Sequence, residues 1–209
     1  MCLLFETIRV ENGVPLHLAW HQRRMNRSVC EIWGETISFA LKPVILIQDE
    51  FLIGSVRCNI MYGPDIRSIA FKKYEKRIIR SLKLVYCDTI DYHLKYTDRE
   101  VLQSLFMLRG ASDEIIVVKN GMITDSSISN LIFFDGKNWF TPAKPLLKGT
   151  CRDRLVDEGR LIERDIPPGD IDKFTGCKLI NAMRDPDEED LIPMYEICLL
   201  YTSPSPRDS

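Results

Sequence analysis

A chain of 209 residues with 45% apolar content is long enough to bury a core and allows one domain or two small ones. A formal net charge of −2, with basic and acidic residues interleaved, leaves no electrostatic footprint for nucleic acid. Seven scattered cysteines without metal-ligand spacing point to reduced thiols, and the early charges of MCLLFETIRV and the absence of a long apolar run predict a soluble cytoplasmic protein off the membrane.

The first elements in chain order are a strand in LLFETIRV, a turn at ENG, and a helix in LAWHQRRMNRSVCEIWG. Leu18, Met25, Val29 and Ile32 share one face of that helix, and Gly34 lies past its end. PVILIQDEFL is expected to be a second helix with Pro43 in its first turn. Strand-like runs follow in GSVRCNIMYG, IRSIAFKKY and RSLKLVYC, so residues 1–90 are expected to form a small α+β domain.

A larger, sheet-rich domain is expected over 91–197. Thr97 and Glu100 have capping-box spacing ahead of the stripe Val101, Leu102, Leu105 and Phe106, which predicts a helix over 98–109 ending at Gly110. EIIVVKNGMITD and NLIFFDGKNWFTP each carry a hairpin signal, Asn-Gly and Asp-Gly. A helix is expected to start near Thr150, and CKLINAM reads as a late buried strand. His17 and His21 stand four apart on the first helix but lack a third ligand, so structural roles are expected for them. The acidic run RDPDEEDL over 184–191 reads as a solvated turn.

The closing CLLYTSPSPRD resembles the translation of a transposase sequencing adapter. Residues 198–209 are therefore expected to be an artefactual tail, outside fold reasoning.

Lys95, in YHLKYTDRE, is unremarkable taken alone. In sequence order, however, this lysine, the helix after it, ITDSSISNLIFF, WFTP and LLKGTCRD resemble the class IV aminotransferases, the fold-type IV pyridoxal-phosphate enzymes. FETIRV and LHLAWHQRRMNRS are similar to that family's opening, with His21, Arg24, Met25 and Ser28 on its His-x-x-Arg-hydrophobic-x-x-Ser signature. The resemblance spans residues 3–196 and implies an α+β, two-domain D-amino-acid aminotransferase-like fold with pyridoxal 5'-phosphate in the interdomain cleft.

It further implies that Lys95 bonds covalently to the cofactor and then moves protons, which requires an amine below its ordinary pKa. Asp125 falls where the family places a glutamate against the pyridine nitrogen, ahead of the turn that ends at Asn130. Arg24 matches the phosphate-binding arginine, and Arg23 and Arg27 read as solvated helix residues. The helix start at Gly149, Thr150 and Cys151 would offer backbone N–H groups to the phosphate, with Thr150 and Cys151 departing from the usual Gly-Ile-Thr-Arg.

Two reactions fit the resemblance. KYTDR is similar to the Lys-x-x-Asn-Arg stretch of 4-amino-4-deoxychorismate lyases, which release pyruvate and p-aminobenzoate for folate synthesis. The short chain also favours the lyase, with a branched-chain or D-amino-acid transaminase as the alternative and an inactive cofactor-binding homologue as the second. Tyr96 and Arg99 are candidates for the carboxylate of a small amino substrate, and a homodimer is implied.

Overall fold

The computed structural model describes residues 3–198; the rest of the adapter-like segment, 199–209, lies outside the described residues. Its first sheet comprises β1 (Leu4–Glu11), β2 (Val14–Pro15), β3 (Ser55–Tyr62) and β4 (Ile66–Lys73), in the order β2-β1-β3-β4 and antiparallel throughout. β1 alternates between faces as a half-buried strand should. Leu4, Glu6, Ile8 and Val10 point inward, and Phe5, Thr7 and Arg9 point to the other side.

Helix α1 (Leu18–Trp33) covers the inward face with Met25 and Val29, and Gly34 ends it at a positive φ of 65°. The helix expected from Pro43 is reduced to a single turn, α2 (Leu41–Val44), followed by a 3-10 turn at Asp49–Phe51. The β-branched Val44, Ile45 and Ile47 lose side-chain freedom in a helix, and Ile45 is buried from an irregular segment instead.

β5 (Leu82–Tyr86) leaves the first sheet and pairs in parallel with β6 (Glu114–Lys119), so sheet membership changes ahead of residue 82. α3 (Glu100–Met107) lies in the crossover, shorter than 98–109 at both ends. The capping box does not form. A bridge between Leu4 and Tyr96 holds Thr97 against β1, and its hydroxyl donates to the Leu3 carbonyl at 3.1 Å instead of capping the helix. Asp98 takes over, its Oδ1 accepting from the Glu100 N–H at 3.0 Å.

The Asn-Gly hairpin joins β6 to β7 (Met122–Ile123), with positive φ at both Asn120 and Gly121. β8 (Asn130–Phe134) and β9 (Trp139–Pro142) form the second hairpin through the four-residue loop 135–138, which Asp135 closes by accepting from the N–H groups of Lys137 and Asn138. α4 (Thr150–Asp157) precedes β10 (Ile162–Arg164), β11 (Gly176–Ile180), β12 (Ile192–Pro193) and β13 (Ile197–Cys198). The sheets β10-β9-β8-β11-β12 and β13-β5-β6-β7 share a core in which Leu84, Ile116, Leu131, Phe133 and Leu179 are buried.

Candidate active site

A cleft of about 480 Å³ opens between the outward face of the first sheet and the rest of the chain. Phe5, Thr7, Arg57 and Asn59 form one wall; Lys95, Arg99, the turn 125–130, residues 146–150 and Asn181 to Arg184 form the others. Among the residues singled out by sequence resemblance, Arg24, Lys95, Asp125, Asn130, Gly149, Thr150 and Arg99 meet there, whereas Tyr96 lines a separate pocket with Leu3 and Val101.

Lys95 sits in the connection from β5 to α3, and its position is fixed by the backbone. Its carbonyl accepts from the Phe5 N–H at 3.0 Å, next to the bridge between Leu4 and Tyr96. Nζ lies 4.4 Å from the centre of the Phe5 ring. Burial, then the positive charges of Arg24 and Arg99, pull the amine down to a pKa of about 7, against the opposing pull of Glu6. Near neutrality a large share of Lys95 is therefore the free amine, the form that can attack a carbonyl.

Asp125 is 4% exposed and has no ion-pair partner among the described residues. Its Oδ1 accepts from Asn130 Nδ2 and its Oδ2 from the Leu147 N–H, both at 2.8 Å. Burial outweighs these bonds and the charge of Arg152, raising its pKa to about 7. A cation placed beside this carboxylate, such as a protonated pyridine nitrogen, would hold it ionised.

The start of α4 could hold an anion. The first N–H groups of a helix have no intrahelical acceptor, and here they begin at Gly149, which no side chain caps. Gly149 is required by close approach: a Cβ there would stand 2.0 Å from Asn130 Oδ1. Cys151 is placed differently from the other candidates. Its side chain lines a separate cavity of about 30 Å³ with His17, His21 and Arg154, and burial pushes the thiol up to about 11. Cys151 does not line the cleft.

Arg24 reaches the cleft from α1, and sequence reasoning missed what holds it there. Glu6, fully buried on β1, accepts from Arg24 Nε at 2.8 Å and Nη2 at 2.5 Å, and from His21 Nδ1 at 2.7 Å. Burial alone would raise the Glu6 pKa, but the charge of Arg24 and bonds from both partners hold it at about 2. An ionised carboxylate can only accept, so His21 carries its proton on Nδ1. A signal was present in the sequence: Glu6 occupies an inward position of an alternating strand, where a charge requires a partner. Arg57 was not legible in the same way, whereas Arg99 was already a sequence candidate for the substrate carboxylate. Among the described residues each keeps a buried Nε without a hydrogen-bond partner, and Arg99 donates through Nη2 to the Ser127 carbonyl at 2.6 Å.

The amino-transferase class IV family profile matches residues 92–185. An uncharacterized protein of Haemophilus influenzae is 43% identical over 182 residues, covering 86% of this chain and 97% of that protein. The crystal structure of a candidate 4-amino-4-deoxychorismate lyase from Haemophilus somnus is 34% identical at a TM-score of 0.83, covering 88% of this chain and 98% of that one. The chain belongs to the class IV aminotransferase family. A pyridoxal-phosphate-bound hypothetical aminotransferase from Mycobacterium tuberculosis, at 14% identity and a TM-score of 0.69 over 93% of this chain and 81% of that one, shares the fold.

Family membership makes this a pyridoxal-phosphate-dependent enzyme with the α+β fold of fold-type IV. The cleft fits that cofactor by its donor set: a lysine with a lowered pKa, a buried carboxylate lacking a cation, and an uncapped helix start beside a buried arginine. Among the described residues no group of three or more His, Cys, Asp or Glu could hold a metal ion, and no helix is long and apolar enough to cross a membrane.

Proposed function

We propose that the chain is a 4-amino-4-deoxychorismate lyase that releases pyruvate and p-aminobenzoate. The observation that carries this reading is a lysine with a pKa near 7 sharing one cleft with two arginines, Arg57 and Arg99, whose Nε groups lack partners among the described residues. The substrate carries two carboxylates, and guanidinium groups recognise carboxylates well. The likeness to the Haemophilus somnus protein supports the same reaction over a transamination.

Lys95 would hold the cofactor through Nζ, Asp125 would face its ring nitrogen, and Arg24 with the N–H groups of Thr150 and Cys151 would hold its phosphate. When bound, pyridoxal phosphate supplies the electron sink for a carbon that loses its proton. Lys95 takes that proton at Nζ from the amino-bearing carbon and returns one to the departing enolpyruvyl group, which leaves as pyruvate. Asp125, ionised beside a pyridinium, keeps the ring protonated. The first-sheet wall excludes water from one side of the amine, with Phe5 packed against Nζ.

The test is release of both products from 4-amino-4-deoxychorismate by the cofactor-loaded chain. Equal amounts of pyruvate and p-aminobenzoate, lost on Lys95→Ala, support the lyase. Amino transfer from amino acids to keto acids without that release would move the assignment to a transaminase.

A further inference from the structure

Arg24 offers five N–H donors in a planar fork, and which of them face the cleft decides how a phosphate is held. Glu6 occupies the edge formed by Nε and Nη2. Nη1 is left with one long contact, 3.5 Å to the carbonyl of Lys148, the residue just before Gly149. The available nitrogen of Arg24 is thus directed to the start of α4, where the free backbone donors lie.

The placement of Glu6 is costly unless its bonds serve a purpose. It lies between Leu4 and Ile8 on the inward face of β1, fully removed from water. A buried pair of this kind is weak evidence for stability, because apolar residues of similar volume often do as well. What it does provide is a fixed geometry. Its Oε2 accepts from both Arg24 Nη2 and His21 Nδ1, two side chains three residues apart on one face of α1. This locks the rotation of α1 against β1 together with the rotamer of Arg24.

We propose that Glu6, supported by His21, is the positioning residue that reserves the Nη1 side of Arg24 for the cofactor's phosphate. The inference rests on the cleft being the pyridoxal-phosphate site. Charge and orientation give opposite signs for its removal, which makes it decidable. If only charge mattered, loss of the Glu6 anion would strengthen attraction for a phosphate. With orientation in control, loss of the carboxylate weakens it.

The experiment titrates the full chain with pyridoxal 5'-phosphate and, separately, with pyridoxal, following absorbance. The wild type should bind the phosphorylated form more tightly. Glu6→Gln should weaken binding of pyridoxal phosphate by about tenfold or more, as expected for a lost charge-assisted hydrogen bond, and leave pyridoxal affinity unchanged. Glu6→Asp, which keeps the anion, and His21→Gln, which keeps a donor, should each fall between these limits and carry the test if Glu6→Gln does not fold. Unchanged or tighter binding of pyridoxal phosphate to Glu6→Gln would overturn the proposal, and so would an equal loss for both ligands. A wild type with no preference for the phosphorylated form would instead contradict the reading of the cleft itself.

Discussion

Two groups of ion pairs in this chain use similar side chains in different surroundings. One is the Glu6, Arg24 and His21 cluster, in which the carboxylate is fully buried and the arginine 7% exposed. The other gathers around residues 185–189, where Arg154 meets Asp185, Arg160 meets Asp187, Arg9 meets Glu188, and Lys76 and Arg184 meet Glu189. Besides Arg184 of the run itself, the partners come from β1, α4, the turn after α4 and the β4–β5 connection, so the acidic run expected to be a solvated turn is a clasp between elements. Its outer part is wet, with the Glu188 and Asp187 side chains 55% and 70% exposed, whereas Arg184 and Glu189 pair at 3% and 8% exposure. Water and salt weaken the outer pairs at Glu188 and Asp187, whereas the Glu6 cluster has no solvent to replace a missing partner.

The contrast can be broken by mutation. Glu6→Ala leaves Arg24 buried without its anion and should cost about 3–5 kcal/mol in urea unfolding of the cofactor-free protein. Acid should expose the same cluster. The Glu6 pKa is depressed from 4.5 to about 2, so its contribution is complete above pH 4.5 and lost as pH falls through 2. That contribution is on the order of 3 kcal/mol, and Glu6→Gln should flatten this part of the stability curve. Asp125 runs the other way. Its pKa rises from 3.8 to about 7, so it lowers stability as pH climbs through that interval, and Asp125→Asn should remove the loss in the cofactor-free protein.

A smaller effect is expected where packing, not charge, limits the site. Gly149→Ala drives a Cβ into the Asn130 amide and should cost about 1–3 kcal/mol in thermal unfolding, with weaker cofactor binding as Asn130 shifts from Asp125. At the clasp, Glu188→Gln and Asp187→Asn should each change stability by at most about 1 kcal/mol, and about 1 M salt should erase most of the difference. A clasp variant as costly as Glu6→Ala would end the distinction between the two regions.

The sequence exposed those parts of the fold whose signals are local. α1 follows from its apolar stripe and Gly34, and both hairpins follow from turn residues. The second helix and the capping box failed because each was decided by distant partners: Ile45 by burial in the first core, Thr97 by the Leu3 carbonyl. The site divides in the same way. Lys95, Arg24 and Asp125 were visible through motif order, but Arg57 enters the cleft only because β3 pairs beside β1, with Arg57 opposite Arg9. Cys151 sits in the right segment with its side chain turned to another cavity, a direction that motif matching does not encode.

The most direct test of the central claim, that Lys95 is the lysine that carries the cofactor, is reductive trapping. The full chain is incubated with pyridoxal phosphate, treated with borohydride, digested, and the modified peptide sequenced by mass spectrometry. One phosphopyridoxyl group per chain, on Lys95, is the expected result. Modification spread over surface lysines with Lys95 unmodified would contradict it.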